Sequence, residues 1–190
     1  MRSTAQSRRL ALAAAVSLGL AAGLADRASA EDVAGHVFTS PADDRMVGEQ
    51  YFIDFRARRG AMLGHTFIVY GRLGAQGEVL GAEYAGNYPA GEMGLIAGLV
   101  IPVPTFIGPV KGDLTEPATI IYRRKLTAAQ FVRVKAAVRH LRKTEHYWHL
   151  VFFNCNNLAV EVTRWIGLRS PPPWMLPHAY VTALRALNDR

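Results

Sequence analysis

The order of two kinds of pattern along the chain constrains its fold more than any other feature. Segments rich in β-branched and aromatic residues come first, with turn material between them, and segments with helical spacing of apolar residues follow. The predicted strands are residues 50–55, 64–71, 79–84 and 118–122. The predicted helices are residues 128–143, 155–166 and 178–187. Strands that precede helices in this way predict an α+β domain.

Capping signals locate the ends of two of these helices. Thr127 and Gln130 form a capping box ahead of the first helix. Asn154 is a favoured N-cap residue for the second helix, and Gly167 is a favoured residue just past its end. These signals place Cys155 in the first turn of a helix.

The first thirty residues have the three parts of an export signal. A positively charged start leads into an apolar run over residues 10–25, and Ala28-Ser29-Ala30 is a small-residue cleavage site. The run has about 16 residues, fewer than the ~20 that a membrane span needs. Residues 1–30 are therefore predicted to be a signal peptide cleaved after Ala30. Residues 31–190 are then predicted to form a single domain in an exported, periplasmic protein.

The charge of the chain argues against a nucleic-acid partner. The signal carries four Arg and one Asp, so the predicted mature part has a net charge of +4, against +7 for the whole chain. Its basic runs, residues 56–59 and 123–125, lack the interleaved aromatic residues of a nucleic-acid surface. They are compatible with a peripheral contact to an acidic envelope or membrane surface.

Residues 87–117 form a long segment rich in glycine, proline and apolar residues. Pro102, Pro104 and Pro109 interrupt its apolar part, which excludes a membrane-spanning helix. Two interpretations remain open. The segment is either a loop packed over the core with a short strand, or a mobile flap over a binding cleft that contacts lipid.

Cys155 is the only cysteine in the chain. An exported protein with one thiol has no intramolecular disulfide partner for it, so another role is expected. Free N–H groups at a helix start favour the thiolate and can stabilise an oxyanion, and Asn154 and Asn156 flank the sulfur in sequence. The pattern predicts a nucleophile, with a small buried side chain as the alternative.

Six histidines are candidates for the base that a thiol nucleophile needs. His65 opens a predicted strand directly after Gly64, where glycine allows close approach of another segment. The remaining five are His36, His140, His146, His149 and His178. Three of these lie shortly before Cys155, but their spacing matches no standard zinc pattern, so neither a metal nor another cofactor is expected.

The chain resembles the circularly permuted papain-like cysteine hydrolases. This group includes the PPPDE proteins, the lecithin:retinol acyltransferase-like proteins and permuted NlpC-type proteins. Residues 64–69 (GHTFIV) look like the histidine strand of the group, and residues 153–158 (FNCNNL) look like its nucleophile motif. In this group the histidine strand precedes the cysteine helix, as it does here. The similarity covers roughly residues 50–177.

The resemblance implies a fold and a set of site residues. The expected fold is a permuted papain-like domain with a small antiparallel sheet packed against the helix that carries Cys155. A Cys155–His65 dyad is implied, with Asn154 and Asn156 as cap or oxyanion residues. A third, orienting polar residue is expected on the strand after His65, and Glu83 is the candidate there.

Three functions are compatible with this reading. The first is an exported cysteine-dependent hydrolase that cleaves an amide or peptide bond, for example in cell-wall peptides, through an acyl-enzyme intermediate. The second is a lipid acyltransferase or thioesterase that uses the same dyad. The third is an inert papain-like protein that binds components of the cell envelope.

Overall fold

The computed structural model describes residues 50–60, 62–91 and 93–189. The predicted signal segment and its cleavage site lie outside the described residues. Six strands are present in the described ranges: β1 Gln50–Arg58, β2 His65–Leu73, β3 Val79–Pro89, β4 Val103–Gly108, β5 Ala118–Leu126 and β6 Tyr147–Trp148. The same ranges contain five helices: α1 Gly94–Gly98, α2 Lys111–Thr115, α3 Ala128–Thr144, α4 Cys155–Ile166 and α5 Pro177–Asn188.

The six strands form one sheet in the order β5-β1-β2-β3-β4-β6, and every neighbouring pair is antiparallel. The predicted α+β class with an antiparallel sheet is thus confirmed. β2 pairs with β1 along its whole length, from His65 opposite Arg58 onwards. Its pairing with β3 begins only at Phe67 opposite Gly86, and from Gly86 onwards β3 pairs with β4 along its other edge.

One face of the sheet carries the main hydrophobic core. Ile68, Tyr70 and Ala85 point from the central strands into a cluster that contains the apolar stripes of α3, α4 and α5. The stripe of α4 includes Leu158 and Val162, so this helix packs directly on the sheet. Burial of such side chains provides the main stabilisation of the domain.

The opposite face of the central strands carries a smaller cluster. Phe52, Phe67, Val69 and Leu73 are almost fully buried there. Successive side chains of a strand point to opposite faces. The ring of His65, which is stacked on Phe67, therefore lies on this second face.

The glycine- and proline-rich segment contains regular structure. Its residues form α1, β4 and α2, and β4 is an integral strand between β3 and β6. An ion pair between Arg58 on β1 and Asp113 on α2 ties the segment to the sheet. The structure thus agrees with the packed interpretation. In the described part of the chain, none of the helices is long and apolar enough to cross a membrane.

Candidate active site around Cys155

Cys155 is the first residue of α4, and the residues around it close a complete capping box. The Asn154 side chain accepts a hydrogen bond from the Asn156 N–H at 2.8 Å. In return the Asn154 N–H donates to Oδ1 of Asn157 at 2.9 Å. The prediction that Asn154 caps this helix is confirmed. The cap fixes the direction in which the Cys155 side chain leaves the helix.

The amide groups of Asn154 and Asn156 hold the proline-rich segment against the start of α4. Both donate to the backbone carbonyl of Pro173, at 3.1 and 2.9 Å. Asn156 also donates to the carbonyl of Met175 at 2.7 Å. Both amide NH₂ groups are therefore occupied by structural bonds. An oxyanion formed at Cys155 would have to use backbone N–H groups of the helix start instead.

The Cys155 sulfur lies beside β2, next to the backbone N–H of Thr66. The Thr66 hydroxyl, which also acts on the sulfur, shares the helix-covered face of β2 with Ile68 and Tyr70, since alternate side chains of a strand point to the same face. Thr66 follows His65 directly in the chain, so the sulfur is near the backbone of both residues. The His65 ring, however, points to the opposite face of β2 from the Thr66 side chain.

Burial raises the pKa of the Cys155 thiol. The Thr66 N–H, the Thr66 hydroxyl and the N–H groups of Cys155 and Asn156 act in the opposite direction, since each favours the thiolate. Desolvation is the largest influence even though the residue keeps some exposure. The helix-start N–H groups thus favour the thiolate, as the sequence predicts, but burial has the larger influence on the pKa of the thiol.

The His65 ring is held by aromatic packing. Only 9% of the residue is exposed, and its ring stacks on Tyr88 at a centroid distance of 4.2 Å. Its Nε2 is buried and has no hydrogen-bond partner among the described residues. Within those residues no hydrogen bond joins the ring to the Cys155 sulfur either. The structure brings the two residues into one neighbourhood but does not connect their side chains.

Burial, and to a smaller extent the positive charge of Arg58, lowers the pKa of His65 to about 3. A neutral imidazole beside a thiol of raised pKa is the reverse of the thiolate–imidazolium pair found in many cysteine enzymes. In the described conformation both groups therefore rest in their neutral forms at pH 7.

Glu83 lies elsewhere on β3. Its carboxylate accepts a hydrogen bond from the Tyr70 hydroxyl at 2.9 Å on the helix-covered face. It is four residues from Asn87 along the strand, which corresponds to roughly 13 Å. Among the described residues, no hydrogen bond links Glu83 to His65 or Cys155. The structure therefore does not bring the predicted third residue to the other two.

Asn87 is the polar β3 residue that contacts the start of the cysteine helix, and sequence reasoning missed it. It is 3% exposed, and its amide donates to the Asn154 carbonyl at 3.1 Å. Its Oδ1 accepts a hydrogen bond from the Thr105 hydroxyl. The only signal in the sequence was an asparagine just after a predicted strand, which is ordinary in turns. Its role became visible only when β3 proved to extend to Pro89.

A second missed group lies behind the His65 ring. The Tyr88 hydroxyl donates to Oδ2 of Asp113, and Arg58 Nε donates to Oδ1 of the same carboxylate at 2.9 Å. Arg58 also pairs with the more exposed Glu116 at 3.0 Å. Three distant segments thus meet at one buried carboxylate, which sequence periodicity does not reveal.

A cleft of about 270 Å³ opens beside the start of α4. Neither Cys155 nor His65 lines it, but Phe153, Asn157 and Asn87 do, so it reaches the residues next to the sulfur. The cleft is also lined by Glu145, which follows α3, by Leu141 of α3 and by Glu161 and other residues of α4. Such a cleft can hold part of an extended substrate next to the thiol.

Large apolar side chains are exposed on segments that adjoin Cys155. Phe152 and Trp174 are 65% and 73% exposed, and Phe153 and Leu176 are also exposed. Phe152 and Phe153 directly precede the cap residue Asn154. Trp174 and Leu176 flank backbone carbonyls that accept hydrogen bonds from Asn154 and Asn156. Exposed apolar patches of this kind are typical of surfaces that contact a ligand, a protein or a lipid.

The other histidines of the described ranges, His140, His146, His149 and His178, are not grouped with further metal ligands. In the described ranges, no group of three histidine, cysteine or acidic side chains is placed to hold a metal ion. His149 is buried and accepts a hydrogen bond at Nδ1 from the Val151 N–H at 3.1 Å. This bond shapes the loop that leads to Cys155.

Comparison with known proteins adds no family assignment. No family model matches the chain, and no significant match was found among curated proteins or solved structures. The resemblance to permuted papain-like hydrolases consequently stays a prediction from the two motifs.

Proposed function

We propose that the protein is an exported cysteine-dependent hydrolase with a permuted papain-like fold, and that it cleaves an amide or peptide bond. The observation that carries the proposal is the position of the Cys155 sulfur, at a capped helix start and beside the backbone of Thr66. His65 directly precedes Thr66 in the chain and is the proposed base. The six-stranded antiparallel sheet under the cysteine helix is the arrangement that the resemblance leads us to expect.

The neutral resting state determines how such chemistry would proceed. The thiol proton would pass to the His65 imidazole as the sulfur attacks the substrate carbonyl carbon, rather than before the attack. The imidazolium would then protonate the leaving amine as the C–N bond breaks, leaving a thioester on Cys155. Water, deprotonated by His65, would hydrolyse the thioester and restore the thiol.

A movement of the His65 ring has to precede this proton transfer, since the ring lies on the face of β2 opposite the helix-covered face and no hydrogen bond joins it to the sulfur among the described residues. Catalytic hydrogen bonds are often absent in unliganded proteins and form when substrate binds. Backbone N–H groups at the start of α4 are the available donors for the tetrahedral oxyanion. A substrate in the neighbouring cleft would displace water from the thiol and strengthen these interactions.

Acylation of Cys155 by an activated ester tests the proposal. We expect a stoichiometric acyl adduct, detected by mass spectrometry, that His65→Ala slows by about 100-fold. His140→Ala is the matched control, because His140 lies on α3 against Trp165, away from the site. Equal acylation rates in the wild type and both variants would contradict a role for His65. Absence of the adduct from the wild type would favour an inert binding protein.

A second candidate function is acyl transfer from a lipid. The exposed Phe152, Phe153, Trp174 and Leu176, on the segments that adjoin Cys155, favour it, since an acyl chain could pack on them. Incubation with phospholipid vesicles would give a long-chain acyl thioester on Cys155 under this reading. With a peptide substrate in the same assay, the amide hydrolase would release an amine and leave no lipid adduct.

A further inference from the structure

The His65 ring is surrounded by groups from three strands. Arg58 faces it from β1, Phe67 lies beside it on β2, and Gly86 and Tyr88 face it from β3. Its buried Nε2 has no hydrogen-bond acceptor among the described residues. Packing, rather than a hydrogen bond to a carboxylate, must therefore set the orientation of the ring.

Gly86 provides the space in which this packing occurs. A Cβ atom added to Gly86 would lie 2.7 Å from His65 Nε2 and 2.6 Å from the Tyr88 hydroxyl oxygen. Real Cβ atoms almost never approach other heavy atoms this closely. His65 Nε2 and the Tyr88 hydroxyl oxygen therefore both lie against Gly86 of β3. The imidazole and phenol rings are inclined to each other by only 27°.

Tyr88 is itself held in place. Its hydroxyl donates to Asp113, whose carboxylate also accepts from Arg58 Nε at 2.9 Å and from the Val110 N–H at 3.4 Å. Asp113 is 4% exposed, so the phenol is bound to a group that cannot easily move into solvent. A buried charged hydrogen bond of this kind is costly to break.

We propose that Tyr88 is a positioning residue for His65, with Asp113 and Arg58 fixing the phenol and Gly86 leaving room for both rings. This inference rests on the proposed function of His65 as the base. It assigns the orienting role to Tyr88, which acts by ring stacking, instead of to Glu83. It also gives the glycine- and proline-rich segment a role, because Asp113 braces the site from α2.

The imidazole NMR signals of His65 test this proposal independently of activity. The experiment uses the full chain labelled with ¹³C and ¹⁵N, and His65→Gln identifies the signals. In the wild type we expect His65 to remain neutral down to about pH 4, as its lowered pKa implies. Tyr88→Leu removes the stacked ring and admits water, so the titration midpoint should move up by at least one pH unit.

Tyr84→Leu is the matched control. Tyr84 is a second tyrosine of β3, packed on the small cluster of the same sheet, and it has no ring contact with His65 in the described structure. Its replacement should leave the His65 titration unchanged. A folded Tyr88→Leu protein with wild-type His65 shifts and midpoint would overturn the proposal, as would an equal effect of both substitutions.

Tyr88→Phe keeps the proposal falsifiable should the leucine variant not fold. It retains the stacked ring but loses the bond to Asp113, so we expect broadened His65 signals from a ring in exchange between orientations. Sharp signals at the wild-type positions would overturn the bracing role of Asp113. In the acylation assay, Tyr88→Phe should lower the maximal rate about tenfold without changing the half-saturating ester concentration.

The two readouts separate the two proposals. NMR shifts that respond to Tyr88, in a protein whose Cys155 never becomes acylated, would refute the proposed function alone. Acylation that depends on His65, with His65 signals indifferent to Tyr88, would refute the positioning role alone.

Discussion

The two halves of the candidate site are built by different forces. The Cys155 half is fixed by hydrogen bonds: Asn154 caps the helix and binds the Pro173 carbonyl, and Asn156 binds the carbonyls of Pro173 and Met175. The His65 half is fixed by stacked rings and a remote ion pair, and one buried ring nitrogen has no hydrogen-bond partner among the described residues.

This difference indicates which half is adjustable. Hydrogen bonds to buried carbonyls fix both distance and direction, so the sulfur cannot shift without losing several bonds. Stacking restrains the plane of a ring but tolerates sliding and rotation more easily. The base, rather than the nucleophile, is thus the part of the site expected to move when a substrate binds.

The largest effect is expected from the carboxylate that braces the His65 half. Asp113→Ala leaves the Arg58 guanidinium, whose side chain is 10% exposed, without its buried partner. Urea unfolding at pH 7 should show a loss of about 4 kcal/mol. Glu116→Ala removes the half-exposed partner of the same arginine and should cost less than about 1 kcal/mol. Equal losses of unfolding free energy in the two variants would mean that the buried Arg58–Asp113 pair stabilises the domain no more than the Arg58–Glu116 pair.

A slightly smaller loss is expected in the Cys155 half. Asn154→Ala removes the helix cap and two side-chain donor bonds, to Leu150 and Pro173. We expect a loss of about 3 kcal/mol in unfolding free energy. Asn157→Ala removes one reciprocal cap bond and should cost about 1 kcal/mol. If Asn154→Ala lost less unfolding free energy than Asn157→Ala, the hydrogen-bonded Cys155 half would not be the rigid half of the site.

The pH dependence of stability probes the neutral His65. Its pKa is lowered from 6.5 to about 3 on folding, so below pH 6.5 the unfolded chain binds a proton that the folded protein does not. Stability is therefore lost as the pH falls. Between pH 6.5 and 4.5 the wild type should lose about 2 kcal/mol more than His65→Gln. Parallel curves for the two proteins would show that His65 is not desolvated.

The smallest effect concerns the Thr66 hydroxyl, which is buried without a hydrogen-bond partner among the described residues and acts to lower the thiol pKa. Thr66→Val removes that influence, so the thiol pKa should rise further. Alkylation by iodoacetamide at pH 8 should slow about threefold, corresponding to roughly half a pKa unit. Thr119→Val is the control, because its hydroxyl binds Ala57 on a neighbouring strand instead. Faster alkylation of Thr66→Val would contradict the placement of the sulfur.

Features encoded within a few residues were predictable from the sequence. The capping box at Thr127, the N-cap at Asn154 and the span of α4 were predicted as the structure has them. The strand at residues 79–84 was predicted too short. Its continuation to Pro89 depends on pairing with β4, inside a proline- and glycine-rich segment that carries little local strand signal.

The sequence by itself determined that a lone cysteine starts a capped helix and that strands precede helices, because these properties depend on contacts within one or two turns. Only the tertiary structure decided that Thr66 meets the sulfur and that Tyr88 and Asp113 lie behind His65. It also decided the ionisation of the site. Local sequence specifies helix N–H groups that favour a thiolate, whereas desolvation depends on everything packed around the sulfur, and here the desolvation is the larger effect.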